Sequence, residues 1–134
     1  MTSEADREKT TTNSVNWDAL MRANIEQVFN ERDGVRRRAA VERLYSEDAT
    51  LYDSDAVAKG WDGISRAVGS LLDSLPTDIV FTPAGPAVGH NGVGRIFWRS
   101  GPPGGAVAVT GTDVVHLDGD RIKHLHVFLD PTPR

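Results

Sequence analysis

The sequence predicts an α+β domain: three N-terminal helices packed on one face of a strongly curved antiparallel or mixed sheet. Three observations predict it. Apolar residues recur at helical spacing only up to Leu75. Beyond Pro76 the chain turns to short runs rich in Val, Ile, Phe and Thr, punctuated by Asn-Gly and Asp-Gly. Segregation of helices before strands points to helices on one face of a sheet rather than to alternating βαβ units.

The elements follow in order. Residues 1–15 are polar, mixed in charge and rich in Thr, and read as a disordered tail. Residues 16–134 form a single domain. Asn16 or Asp18 caps a first helix whose apolar face is Trp17, Leu20, Met21, Ile25, Val28 and Phe29. Asp33-Gly34 breaks it, and a second helix runs to about Tyr45. Ala49–Asp53 reads as a strand followed by a loop. A third helix carries Ile64, Ala67, Val68, Leu71, Leu72 and Leu75, and Pro76 stops it. Strands are expected over Asp78–Thr82, Pro86–His90, Gly94–Arg99, Ala106–Leu117 and Arg121–Leu129. The Asn91-Gly92 pair marks a tight hairpin between the second and third of these. Long, glycine-punctuated strands tend to curl.

Composition narrows the function classes. The chain has 134 residues, the length of one domain, and no cysteine, so disulfides and thiolate sites are excluded. Its net charge of −4 disfavours nucleic acid, which calls for a basic face. The cluster Arg36-Arg37-Arg38 lies in a helical pattern and reads as a solvated helix face. No run approaches the roughly 18 apolar residues of a membrane span. The first residues carry no signal-peptide pattern, so the expectation is cytoplasmic.

Few polar groups fall where an apolar interior is expected. Asp113 sits mid-strand among valines. Alternation groups it with Val109, Gly111, Val115 and Leu117, the more apolar and therefore inward face. A buried carboxyl without a cation tends to become neutral, and a neutral acid can donate a hydrogen bond. The alternative is a structural role, paired with a backbone amide or an arginine. Asp53 ends its strand. His116, His124 and His126 fall on the outer face, grouped with Ile122 and Phe128, while Leu125, Val127 and Leu129 face inward. No carboxylate partner accompanies these histidines, so no metal site is expected. A polar dimer face is the better reading.

These residues resemble a known family. Glu47-Asp48-Ala49-Thr50-Leu51-Tyr52-Asp53 is similar to the DDATVEDP segment of bacterial ketosteroid isomerases. Gly60 to Ile64 resembles their Gly-x-x-x-Ile helix start, and His90-Asn91-Gly92-x-Gly94 their hairpin turn. Asp113-Val114 followed by Asp118-Gly119-Asp120-Arg121-Ile122 is similar to their penultimate strand and its following turn. The resemblance spans about residues 20–130 and is shared with SnoaL-like polyketide cyclases of the nuclear transport factor 2-like, cystatin-like superfamily. It implies a conical pocket, a homodimer, and no cofactor.

The resemblance also implies roles. Asp53 matches a general base that moves protons between carbons of an enone, and Asp113 a protonated oxyanion-hole acid. Ile96, Trp98, Leu125, Val127 and Leu129 match pocket-wall positions, and Val115 lies on the Asp113 face. Phe29 stands where the isomerases have an oxyanion tyrosine, and Val68 where they have a supporting one. Tyr45 matches a third tyrosine, without its partners. The expected function is proton abstraction next to a carbonyl of a small apolar, polyketide- or terpenoid-like molecule, as an isomerase or lyase. A non-catalytic ligand-binding or dimerisation module of the same fold is one alternative. An epoxide hydrolase-like enzyme is the other, disfavoured because Arg95 and Arg99 share the face opposite Ile96 and Trp98.

Overall fold

A computed structural model describes residues 15–131. The expectation of a disordered tail therefore lies, but for Val15, outside the described residues. Helix α1 (Trp17–Asn24) is capped by Asn16, whose Oδ1 accepts from the Ala19 amide at 2.9 Å. It continues without a break into a π-helical turn, Ile25–Phe29, closed by Asn30 N donating to Ile25 O. The Asp33 carboxylate receives the Val35 and Arg36 amides and so starts α2 (Gly34–Leu44). Strand β1 (Tyr45–Tyr52) begins four residues earlier than its sequence suggests. A short β2 (Val57–Lys59) occupies what reads as loop. Gly60, at φ +75°, turns the chain directly from β2 into α3 (Gly60–Asp73).

The remaining strands are β3 (Val80–Pro83), β4 (Val88–His90), β5 (Val93–Gly101), β6 (Val109–Asp118) and β7 (Arg121–Leu129). Asn91 and Gly92 both have positive φ, as a tight β4–β5 turn demands. The sheet order is β2-β1-β7-β6-β5-β3, with β4 also on β5. Among the described strands only β1 and β7 run parallel, so the sheet is mixed. It is curled and not closed, and the three helices pack against it. Strand β6 starts at Val109 rather than Ala106 because the proline- and glycine-rich loop folds back over Gly101.

Two residues depart from their expected faces. Ile122 is fully buried rather than outward with the histidines. His116 pairs with His124 but Leu117 with Ile122, so Lys123 is an extra residue that shifts the alternation by one. Arg37 is buried rather than solvated. Its Nε donates to Ser65 O and its Nη1 to Glu31 O, joining α2 to α3 and to the loop before α2. Arg36 pairs with Glu31 and Arg38 with Asp62 and Glu42 on the surface, as expected of that face.

The core lies between the helices and the concave face of the sheet, around Met21, Ile25, Val41, Ile64, Ile96 and Leu125. At the β3 edge, Asn30 donates from Nδ2 to Phe81 O and accepts from Phe81 N, both at 2.8 Å. Its side-chain amide thus stands in for a neighbouring strand.

Candidate active site

A cavity of about 270 Å³ opens between the π-helical turn, α3 and the concave face of the sheet. Ile25 and Phe29 contribute from the turn, Val68 and Leu71 from α3, and Trp98, Asp113, Val127 and Leu129 from the sheet. Phe29 meets Phe81 edge-to-face at 6.1 Å, and Phe81 meets Trp98 likewise at 5.4 Å. This aromatic ladder makes one wall. Leu71, Val109 and Leu129 are exposed at the mouth, Leu129 to 59%.

Asp113 is 4% exposed. Trp98 Nε1 donates to its Oδ1 at 2.9 Å. Burial pushes its carboxyl up to about 7, and the Trp98 hydrogen bond pulls the other way. No cation and no backbone amide holds it, so neither structural alternative to a functional carboxyl is met among the described residues. Asp53 lines the same cavity from the end of β1 and is exposed. Its Oδ1 accepts from the Asp55 and Ala56 amides at 2.8 and 2.7 Å, which fixes the carboxylate in a turn at the mouth.

Four residues expected on the pocket wall lie elsewhere. Tyr45, Ile96, Val115 and Leu125 are fully buried and do not line the cavity. The register explains it for the central strands. Asp113 pairs with Val127, and Val115 with Leu125 one step deeper, where the helices already fill the curl. Tyr45 is not without a partner: its hydroxyl donates to Asn24 Oδ1 at 2.5 Å. Burial pushes the Tyr45 hydroxyl well above its usual range, with the Asp113 charge adding to it. Asn24, Leu51, Ala67, Leu71, Leu75 and Ser100 were not singled out from the sequence. Asn24 had a signal: it is a polar residue on the apolar face of α1. Leu71 and Leu75 had helical spacing, but nothing local to separate a cavity wall from core.

The three histidines gather on the convex face. His116 lies 6.0 Å from His124 and 5.9 Å from His126, ring to ring, and Tyr52 stacks on His126 at 4.6 Å. No group of three His, Cys, Asp or Glu placed to hold a metal occurs among the described residues. Arg95 also lies on this face, over the Phe97 ring. No helix among the described residues is long and apolar enough to cross a membrane.

The SnoaL-like domain family matches residues 21–125, most of the chain. The protein belongs to the SnoaL-like domain family. Among solved structures, a SnoaL-like family protein of Agrobacterium tumefaciens, provisionally named an isomerase, superposes with a TM-score of 0.78 at 28% identity. The match covers 91% of this chain and 99% of that one. A provisionally named polyketide cyclase from Sinorhizobium meliloti gives 0.64 at 14% identity, over 81% and 93%. A provisionally named ketosteroid isomerase from Kribbella flavida gives 0.66 at 14%, over 95% and 83%. The last two share the fold alone. No curated protein matches the chain. The SnoaL-like protein thus has the nuclear transport factor 2-like, cystatin-like architecture that its sequence resembles.

Proposed function

We propose that this SnoaL-like protein is an acid–base enzyme that moves a proton next to the carbonyl of a small apolar molecule. Asp53, at the mouth, removes the proton; Asp113, neutral in the apolar interior, donates a hydrogen bond to the enolate oxygen. The observation that carries this is Asp113 itself. It is a buried carboxyl that lines an apolar cavity, has one neutral partner among the described residues, and is pushed up to about 7 by burial. The chemistry calls on these two side chains and no cofactor. The names isomerase and cyclase attached to structural relatives are of the same chemical kind.

Cavity size narrows the substrate. An apolar cavity of about 150 Å³ holds benzene, so about 270 Å³ suits roughly eleven non-hydrogen atoms. That is a bicyclic ketone, with anything larger leaving through the apolar mouth. Epoxide hydrolysis is disfavoured, because Arg95 is on the convex face and no arginine lines the cavity among the described residues. A binding module without turnover is the second reading, favoured by Phe29, which has no hydroxyl to offer an oxyanion.

Deuterium exchange into 1-tetralone in D2O, followed by NMR, separates the two. The wild-type protein is expected to accelerate exchange next to the carbonyl. Asp53→Asn abolishes it, and Asp113→Leu slows it by about 10²–10³, the usual cost of one oxyanion donor. Ligand-induced thermal stabilisation without exchange in the wild type would establish the binding module instead.

A further inference from the structure

Among the described residues the Asp113 carboxyl is held from one side only, and the sheet register explains how. On β5 and β6, Trp98 stands opposite Gly111 and Ile96 opposite Asp113. Trp98 and Asp113 are diagonal neighbours on the concave face. To reach Asp113, the indole must lie across position 111. A Cβ there would stand 2.3 Å from Trp98 Cζ2, 2.8 Å from Cε2 and 2.6 Å from the Phe128 carbonyl oxygen. Only glycine leaves that path open. Phe81 packs edge-on against the indole and holds it in place.

The donor is one that cannot be reversed. A hydroxyl can rotate and an amide can flip, but an indole has one N–H and no acceptor. A carboxylic acid has one bare oxygen and one that carries the proton. The bare carbonyl oxygen is the better acceptor of the two, so an N–H that faces one oxygen favours the proton on the other. Trp98 occupies Oδ1, which favours the proton on Oδ2 of a side chain that lines the cavity.

We propose that Trp98, seated over Gly111, is a positioning residue that confines the Asp113 proton to Oδ2 and so aims this acid into the cavity. The inference rests on the reading of Asp113 as a donor, and its test uses no substrate. The indole N–H resonances and the Asp113 carboxyl carbon are followed by NMR as pH is raised. In the wild type the Trp98 N–H signal moves in step with Asp113, with one midpoint near 7, and those of Trp17 and Trp61 do not follow it. Trp98→Phe keeps an aromatic ring but removes a bond that favours the ionised form. The Asp113 midpoint then rises by about one unit or more. Gly111→Ala displaces the indole and gives a similar rise, with no further rise when added to Trp98→Phe. A Trp98 N–H signal indifferent to Asp113, or an unmoved or lowered midpoint in Trp98→Phe, overturns the proposal. So does a Gly111→Ala effect that persists undiminished without Trp98. The wild-type and Trp98→Phe spectra decide the matter even if Gly111→Ala does not fold. Intact coupling with no ketone exchange would refute the proposed function alone; exchange without coupling would refute this inference alone.

Discussion

A proton held at about 7 by Asp113 is one that the unfolded chain releases near pH 4, the ordinary range of an aspartate. The native state therefore binds more protons than the unfolded state between these values. Stability falls as pH rises through that window and levels off above it. A shift of about three units corresponds to roughly 4 kcal/mol. Asp113→Asn removes the titrating group. In urea unfolding at pH 4 and pH 8, the wild type is expected to lose up to about 4 kcal/mol relative to this variant. A constant difference between the two would mean that Asp113 is ionised across the range. Asp18, Asp33, Asp48 and Asp62, all held below the usual range by hydrogen bonds, act in the opposite sense at lower pH and cancel in the comparison. The burial of Asp113 was legible in the sequence, because alternation among valines leaves few other faces for it. Its place beside Trp98 was legible as well, but not the bond between them: the indole reaches Asp113 across Gly111, and that diagonal depends on the offset between β5 and β6, which no local pattern encodes. The cavity wall was legible only in part for the same reason. Val115 and Leu125 share the inward face with Asp113 and Val127, and alternation does not say at which row the cavity ends.

At the scale of elements, local signals set the caps and turns, and close packing sets the rest. Helix α1 docks on the β4–β5 hairpin through Trp17, whose indole lies over Gly89 and Gly94. A Cβ at Gly94 would stand 2.3 Å from Trp17 Cε3, and one at Gly89 2.4 Å from Cδ2. Asp18 fixes the same corner by accepting from the Ala87 amide at 2.8 Å. Gly94→Ala is expected to cost about 1–3 kcal/mol in urea unfolding by overpacking. In a Trp17→Ala background the same change costs much less, because the clash is gone. Equal costs in both backgrounds would place the strain elsewhere. Asn16, Asp33 and Asn91-Gly92 act where their own side chains or backbones demand, and the sequence located them well. The early start of β1 and the whole of β2 depend on pairing across the sheet and escaped local reading. Arg37 escaped it for a related reason: the space for its guanidinium lies beside Gly69, on another helix.

In the molecule as a whole, no helix among the described residues covers the convex face of the sheet. Rows of cross-strand neighbours run over it: Phe97, Thr112 and Phe128 in one, and Arg95, Val114, His126 and Tyr52 in another. Phe97 is 46% exposed and Phe128 55%, on a surface that otherwise carries three clustered imidazoles. Single exposed apolar residues mean little, but a contiguous aromatic and aliphatic face marks an association surface. A homodimer through this face is the expected outcome, with a copy related by a two-fold axis presenting the same rows. Arg95 stands in the His126 row across Val114 and over the Phe97 ring, Lys123 is paired with Asp48, and Asp130 accepts from Thr110. None of these acids is bonded to a histidine among the described residues. Burial, and then the neighbouring His116 and His124, hold His126 below the usual histidine range. A group depressed in this way stabilises the fold above its ordinary pKa of about 6.5, and that contribution is lost as pH falls from there through the depressed value. Burial against a second copy disfavours a charged ring further, so association is expected to be strong at pH 8 and to weaken as pH falls below the ordinary histidine range and His126 takes up its proton. Sedimentation velocity at micromolar concentration checks it. His126→Phe, which keeps the stack on Tyr52 and cannot titrate, is expected to flatten the pH dependence while preserving the dimer. A monomer at pH 8 would remove the interface, and a dimer with the same affinity at pH 5.5 and pH 8 would remove the histidines from its control.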